Sequence, residues 1–327
     1  MKKYDVVGIG NAILDFIYED IDDSLLEEFG LVKGEMRLID NQQSQKFFNR
    51  LYEYSPNIFP GGSSANTLAG VCAMGGKTVF FGKIGNDKYG NIYEEKTKGD
   101  GVITCLSRDE DDITGHAITL ITRDCERSFA VNLGAAVNLN EDEISEDEIK
   151  QSKILHIEGY QVEDTQLREV IFKAVSIAKQ NGVLVSLDLC DPALVRRNLI
   201  TFKDLVKDSV DILFANESEA KAFTKKSPED AIVAMGNMCK IAVVKLGEKG
   251  SLIRKDNKTY TIAPRKTKVV STNGAGDMYA SGILFGIAND IDIERAGKIA
   301  SYSASLVVEI PEARIGRSLV EDIKKIV

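Results

Sequence analysis

The sequence predicts an α/β protein built on a mostly parallel sheet, with a small second sheet projecting from it. Three observations lead there. Short apolar runs recur along the chain with helical stretches between most of them. A glycine or polar residue follows nearly every run. Two segments break the alternation by offering strands with no helix between them. Continuous apolar strands that alternate with helices suit a parallel sheet buried on both faces.

The runs are "YDVVGIG" (4–10), "TVFFGKIG" (78–85), "ILHIEG" (154–159), "LVSLDL" (184–189), "DILFAN" (211–216) and "IAVVKLG" (241–247), with helical stretches such as 165–180 and 218–225 between them. Asn11, Asp87, Gly159, Asp188, Asn216 and Gly247 stand at or just after the ends of these runs. Ligands of open α/β sheets sit beyond the carboxyl ends of the strands, so these residues should share one edge. Residues 14–59 mix a strand-like "FIYED", a helical "DDSLLEEFG" and a short "MRLID". Residues 101–137 carry "GHAITLIT" and "RSFAVNLGA" around the turn "RDCE". Strands without crossover helices suit a small antiparallel sheet. The expected division is a large α/β domain (1–13, 60–100 and 138–327) and a discontinuous lid (14–59 and 101–137).

Composition narrows the function. The 327 residues are 43% hydrophobic, enough for one large domain with an appendage, and the net charge is −9. An acidic chain argues against nucleic acid or an anionic membrane as partner, so an anionic substrate must be held by local donors. Cys72, Cys105, Cys125, Cys190 and Cys239 are scattered without CxxC spacing, which fits a reducing cytoplasm better than a disulfide framework or a zinc site. Asp5, Asn11 and Asp15 interrupt the N-terminal apolar run, so no signal peptide is expected, and no stretch reaches the roughly 20 apolar residues of a membrane span.

Two glycine motifs fail on inspection. "GVCAMGGKT" nearly has P-loop spacing, but the first glycine would have to stand at Val71, and an Ala-rich helical stretch precedes it instead of a strand. "GIGNAI" follows a strand, but Ile13 stands where the third glycine of a dinucleotide loop belongs.

"STNGAGDMYASG" (271–282) carries chemistry. Gly274, Ala275 and Gly276 precede Asp277 and an apolar helix. Small residues at a helix start expose backbone N–H groups, and the helix dipole adds partial positive charge, so the turn can hold anionic oxygens without a lysine. An acid there makes sense as the base for a hydroxyl that attacks phosphorus. Taken alone, the stretch reads equally as a glycine turn with a capping acid.

It does not stand alone. "TNGAGD" resembles the phosphotransfer signature of the ribokinase (PfkB) family of carbohydrate and nucleoside kinases, and "PGGSSANTLAG" with "FFGKIGNDKYG" resembles its N-terminal signature. "FANESEA" is similar to the family's Asn-x-x-Glu element, and "VVKLGEKGS" to its nucleotide-loop strand. The resemblance covers essentially the whole chain, in order. "GNAILDF", "LVKGEMRLID", "RSFAVNLGAA", "IEGY" and "SLDLCDP" are most similar to the adenosine-kinase-like branch.

This resemblance implies a ribokinase-like three-layer αβα sandwich with a small β-sheet lid, and an ATP- and magnesium-dependent kinase. It makes Asp277 the base and Gly274, Ala275 and Gly276 the anion hole, with Thr272 and Asn273 on the nucleotide side. Asp15 would accept from vicinal sugar hydroxyls, which a carboxylate does well. Asn11, Gly61, Gly62 and Asn66 would complete the sugar site. The bland alternative for the glycines is a turn that starts the next helix. Asn216 and Glu219 are assigned to magnesium and its water shell, although "NESE" also reads as a helix start with acid in its first turn. Lys245, Gly247 and Gly250 would border the ATP phosphates, or the two glycines form only a hairpin turn. Arg127 would swing onto the phosphates or remain a surface arginine, and Leu133 and Tyr160 would line a base pocket or simply pack. His116 and His156 lie within strand-like runs and read as structural. Ser271 stands where the family commonly has an Asp that helps hold a monovalent cation, which puts potassium activation in doubt. The implied acceptor is the 5′ hydroxyl of a ribosyl compound, adenosine first. A ribokinase- or fructokinase-like sugar kinase is the alternative, and a catalytically silent binding protein the rival from another class. Both monomer and homodimer remain open.

Overall fold

The computed structural model describes residues 2–124 and 126–326. Among the described residues, fourteen strands form two sheets: β1 (Tyr4–Ile9), β2 (Ile13–Ile21), β3 (Met36–Leu38), β4 (Asn57–Pro60), β5 (Thr78–Gly85), β6 (Ile103–Asp109), β7 (Gly115–Thr122), β8 (Arg127–Asn132), β9 (Ser152–Glu158), β10 (Leu184–Asp188), β11 (Ile212–Asn216), β12 (Ile241–Lys245), β13 (Ser251–Lys255) and β14 (Lys258–Ile262). The large sheet runs β14-β13-β12-β11-β10-β9-β1-β5-β6. It is parallel from β12 to β6, with β13 and β14 added as antiparallel hairpins.

The apolar runs explain this sheet residue by residue. Along β1, Val7 and Ile9 enter one core and Val6 the other; Phe81 and Phe80 of β5 divide the same way, as do Leu213 and Phe214 of β11. Successive side chains point to opposite faces, so a strand covered on both sides must be apolar throughout. The helix Thr165–Gln180 covers one face with Leu167, Val170, Ile171, Ala174 and Ala178, an i, i+3, i+4 stripe. The result is the ribokinase-like α/β fold, with helices on both sides of the large sheet and a second, small sheet.

That second sheet has the order β3-β8-β7-β2-β4. It departs from the expected lid in two ways. β6 pairs with β5 in the large sheet, although residues 101–137 were assigned to the lid. The sheet is also mixed rather than antiparallel, since β2 pairs parallel with β7 and β3 with β8. Topology supplies the reason. β1 and β6 are parallel strands of the large sheet; each leaves the same edge and continues almost directly into β2 or β7, so these two strands must run alike. Four cysteines (Cys72, Cys105, Cys190 and Cys239) are free, while Cys125 lies outside the described residues. Among the described residues, no helix is long and apolar enough to cross a membrane.

Candidate active site

The carboxyl ends of the parallel strands meet the starts of two helices, Ser63–Ala73 and Ala275–Ala288. The second helix begins at Gly274, whose φ of 72° is a left-handed turn that a side chain disfavours. A Cβ there would lie 2.4 Å from the Ala313 carbonyl oxygen, so the tail segment packs directly on the glycine turn. The amides of Gly276 and Asp277 face out of the helix end, where no intrahelical acceptor exists. Asp277 accepts from Ser63 Oγ at 2.7 Å and Asn66 Nδ2 at 3.0 Å. The two helices touch one turn further on. A Cβ on Gly70 would lie 2.4 Å from Ser281 Oγ, and Gly70 and Ser281 are each four residues beyond Asn66 and Asp277.

Asp15, on β2, pairs with Phe59 of β4 and Ala117 of β7. The space beside it is made by glycine: a Cβ on Gly61 would come 3.0 Å from Asp15 Oδ2. Gly62, with φ 88°, would bring a Cβ 2.1 Å from the Asn11 carbonyl oxygen. Asn11 Oδ1 is buried without a hydrogen-bond partner, which suits a hydroxyl donor. Burial pushes Asp15 up to about 6; Arg314 opposes the rise, Asp277 adds to it, and Arg127 and Asn273 oppose it. Asp15 seats against Gly61, two residues before the Ser63 that donates to Asp277, so both carboxyls lie against the same loop.

The first strand explains the failed dinucleotide motif. A Cβ on Gly8 would lie 2.5 Å from Ser64 Oγ, and one on Gly10 2.7 Å from Glu158 Oε2. These glycines let the helix Ser63–Ala73 approach the sheet closely. The failed P-loop is likewise the turn after that helix, with Gly75 at φ 94°.

Further along the edge lies a charged cluster. Lys245 Nζ is 2.6 Å from Asp188 Oδ2 and 3.1 Å from the place a Cβ on Gly276 would occupy. Burial works against the lysine charge, but Asp188 and Glu219 outweigh it and its pKa rises. Glu219 is pushed up by burial and by Asp188. Its carboxylate accepts from Asn216 N at 2.7 Å and Nδ2 at 2.6 Å, while Asn216 Oδ1 accepts from Glu219 N. This capping box is the structural alternative for "NESE". Among the described residues no three His, Cys, Asp or Glu side chains converge tightly enough to hold a metal directly. The hard oxygens of Glu219 and Asn216 fit magnesium held through water and phosphate oxygens.

Other expected residues fall less simply. Asn273 lies against Asp15, and Thr272 offers its carbonyl to Ala275 N at 3.3 Å. Gly247 (φ 58°) and Gly250 (φ 90°) form the β12–β13 turn, where Gly250 packs so tightly that a Cβ would lie 2.1 Å from the Ile262 carbonyl oxygen. Arg127 lies on β8, near enough to favour the charged form of Asp15. Leu133 lines an open cavity of about 590 Å³ with Leu38, Asn41, Asp112, Val131 and Asn132. Tyr160 is 41% exposed and lies by Cys190 and Asp191. His116 and His156 are buried in β7 and β9; burial lowers both, His156 to about 4.

Two functional candidates were missed. Glu158, in "IEGY", accepts from Asn11 N and Ser64 N at 2.9 Å each, and burial raises it to about 7. Arg314 reaches the Gly61 carbonyl at 2.9 Å and Asn66 Oδ1 at 2.8 Å.

Against known families, residues 26–318 match the model of the pfkB family carbohydrate kinases. The chain belongs to the PfkB family. It is therefore a phosphotransferase with a hydroxyl acceptor. This PfkB kinase is similar to a Listeria monocytogenes protein named 5-dehydro-2-deoxygluconokinase, with 31% identity over 82% of this chain and 86% of that protein. Among solved structures, it is similar to a probable sugar kinase from Rhizobium etli, with 32% identity, a TM-score of 0.92 and full coverage of both chains. An adenosine kinase from Sinorhizobium meliloti gives 33% identity and a TM-score of 0.91 over 99% of this chain and 100% of that one.

Proposed function

We propose that this PfkB kinase transfers the γ-phosphoryl group of ATP to a primary hydroxyl of a free sugar or sugar acid. One observation carries the reading: Asp277, held by Ser63 and Asn66 beside a glycine turn, lies against the same Gly61–Ser63 loop that seats Asp15. Asp15 and Asn11 orient the acceptor through its other hydroxyls. The primary hydroxyl oxygen attacks the γ-phosphorus, its proton passes to Asp277, and the bond from phosphorus to the ADP oxygen breaks. The Gly276 and Asp277 amides and Lys245 take up negative charge on the transferring group. Magnesium, held near Glu219 and Asn216 through water, would neutralise the ATP phosphates.

A sugar acceptor is favoured over a nucleoside because the Listeria monocytogenes relative is named 5-dehydro-2-deoxygluconokinase. Adenosine remains the second reading, supported by the likeness to the Sinorhizobium meliloti enzyme. The test is ADP release with 5-dehydro-2-deoxygluconate, ribose, fructose and adenosine. The highest kcat/KM is expected on a sugar or sugar acid. Adenosine well ahead of every sugar overturns the choice in favour of the second reading, and no release with any acceptor points to a silent binding protein.

A further inference from the structure

Arg314 is 6% exposed and sits on the irregular segment that follows the last long helix, Ile293–Val307. Its guanidinium makes four bonds in three directions. Nε donates to Asn66 Oδ1 at 2.8 Å, and Nη2 to the Gly61 carbonyl at 2.9 Å. Nη1 donates to Asp100 Oδ2 at 2.9 Å and Thr97 Oγ1 at 3.2 Å, which fixes the group from behind.

An asparagine amide can sit either way round. Turned over, Asn66 would set its oxygen against the Asp277 carboxylate and its NH2 against the guanidinium, two repulsive contacts. Arg314 therefore decides which face of Asn66 Asp277 meets. Through Gly61 it also fixes the loop that packs on Asp15, and its charge favours ionised Asp15.

We propose that Arg314 is a positioning residue for phosphoryl transfer: it orients Asn66 so that the amide donates to Asp277, and it sets the Gly61 loop against Asp15. The inference rests on the kinase reading above. Asp277 is faced by Asp15 from β2, Glu158 from β9, Asp188 from β10, Lys245 from β12 and Tyr160 beyond β9. Of these, Asp15 responds directly to Arg314, whose charge favours its ionised form, so a shift in titration reports the misplaced Asn66 donor together with the charge lost beside Asp15. Both losses disfavour ionised carboxylates and move the acid limb upward in pH.

The experiment measures pH profiles of kcat/KM for the parent, Arg314→Met, Arg314→Lys, Asn66→Ala and the Arg314→Met/Asn66→Ala pair, with the acceptor found by the ADP-release panel. Arg314→Met should lower kcat about 10–100-fold, as expected for a misplaced catalytic group, and move the acid limb to higher pH. Arg314→Lys should restore most of the limb but less of kcat, because it keeps the charge and loses the fork. The double variant should lose little more than Asn66→Ala alone. Unmoved pH limbs, or fully additive losses, overturn the inference while leaving the kinase reading intact. If Arg314→Met does not fold, Arg314→Lys decides by kcat: a clear fall with the limb largely kept supports the inference, and a parental kcat overturns it. A parent enzyme that phosphorylates nothing removes both readings together.

Discussion

Asp277 takes two donors, Ser63 and Asn66, from a neighbouring helix, one on each carboxylate oxygen. Burial raises its pKa while Asn66 and Ser63 hold it down, so its basicity is a balance rather than a free carboxylate's. Asp277→Asn keeps the shape and removes the basicity. Steady-state kinetics should show a loss of about 10²–10⁴-fold in kcat with KM changed only a few-fold; near-parental kcat in a folded variant would take Asp277 out of the chemistry. Ser271 bears on cations. Its hydroxyl accepts from Asn273 N at 3.1 Å and carries no charge, so exchanging sodium for potassium should alter the rate less than about two-fold, a null that a simple salt swap checks. The glycines and Asp277 were legible because special backbone and chemistry leave a local mark in the sequence. Arg314 was not. Its partners Asn66 and Gly61 lie 248 and 253 residues away, and one arginine in a polar tail carries no local signal.

At the scale of elements, the close approach of Ser63–Ala73 and Ala275–Ala288 depends on Gly70. Gly70→Ala forces a methyl into Ser281 Oγ and should push the helices apart one turn from Asn66 and Asp277. We expect about 1–3 kcal/mol of destabilisation by thermal melting, together with a fall in kcat. Adding Ser281→Gly should recover most of both; failure of the double variant to recover either would show that the contact is not the spacer. The parallel strands were legible from their apolar runs, and the helix over 165–180 from its stripe. The pairing of the second sheet was not, because alternation reveals which residues share a face but not which strand lies alongside. Only the exit of β1 and β6 from the same edge fixes that pairing.

For the molecule as a whole, the cleft concentrates carboxyls that resist ionisation. Glu158 titrates near 4.5 in an unfolded chain and about 7 when folded. Its folded pKa is raised, so its contribution is present below pH 4.5 and is lost as pH rises towards 7. The two buried histidines, both lowered, act in the opposite sense, which masks the effect in the parent alone. The difference between Glu158→Gln and the parent isolates it. Whatever the offset from a changed hydrogen bond, the variant should gain about 2 kcal/mol on the parent between pH 5 and 7, read as a relative rise in Tm. A flat difference would mean that Glu158 is ionised in the folded protein at both pH values.

The tight seat of Asp15 against Gly61 has a calorimetric consequence. With a pKa of about 6, this carboxyl is roughly half protonated at pH 6. Sugar hydroxyls that donate to the ionised form would pull the pKa down, so binding at that pH should expel about half a proton into solution. The heat of sugar binding would then depend on the ionisation enthalpy of the buffer, differing between phosphate and imidazole at pH 6 and converging at pH 8. A chemically neutral sugar would in this way behave as an acid on entering the protein.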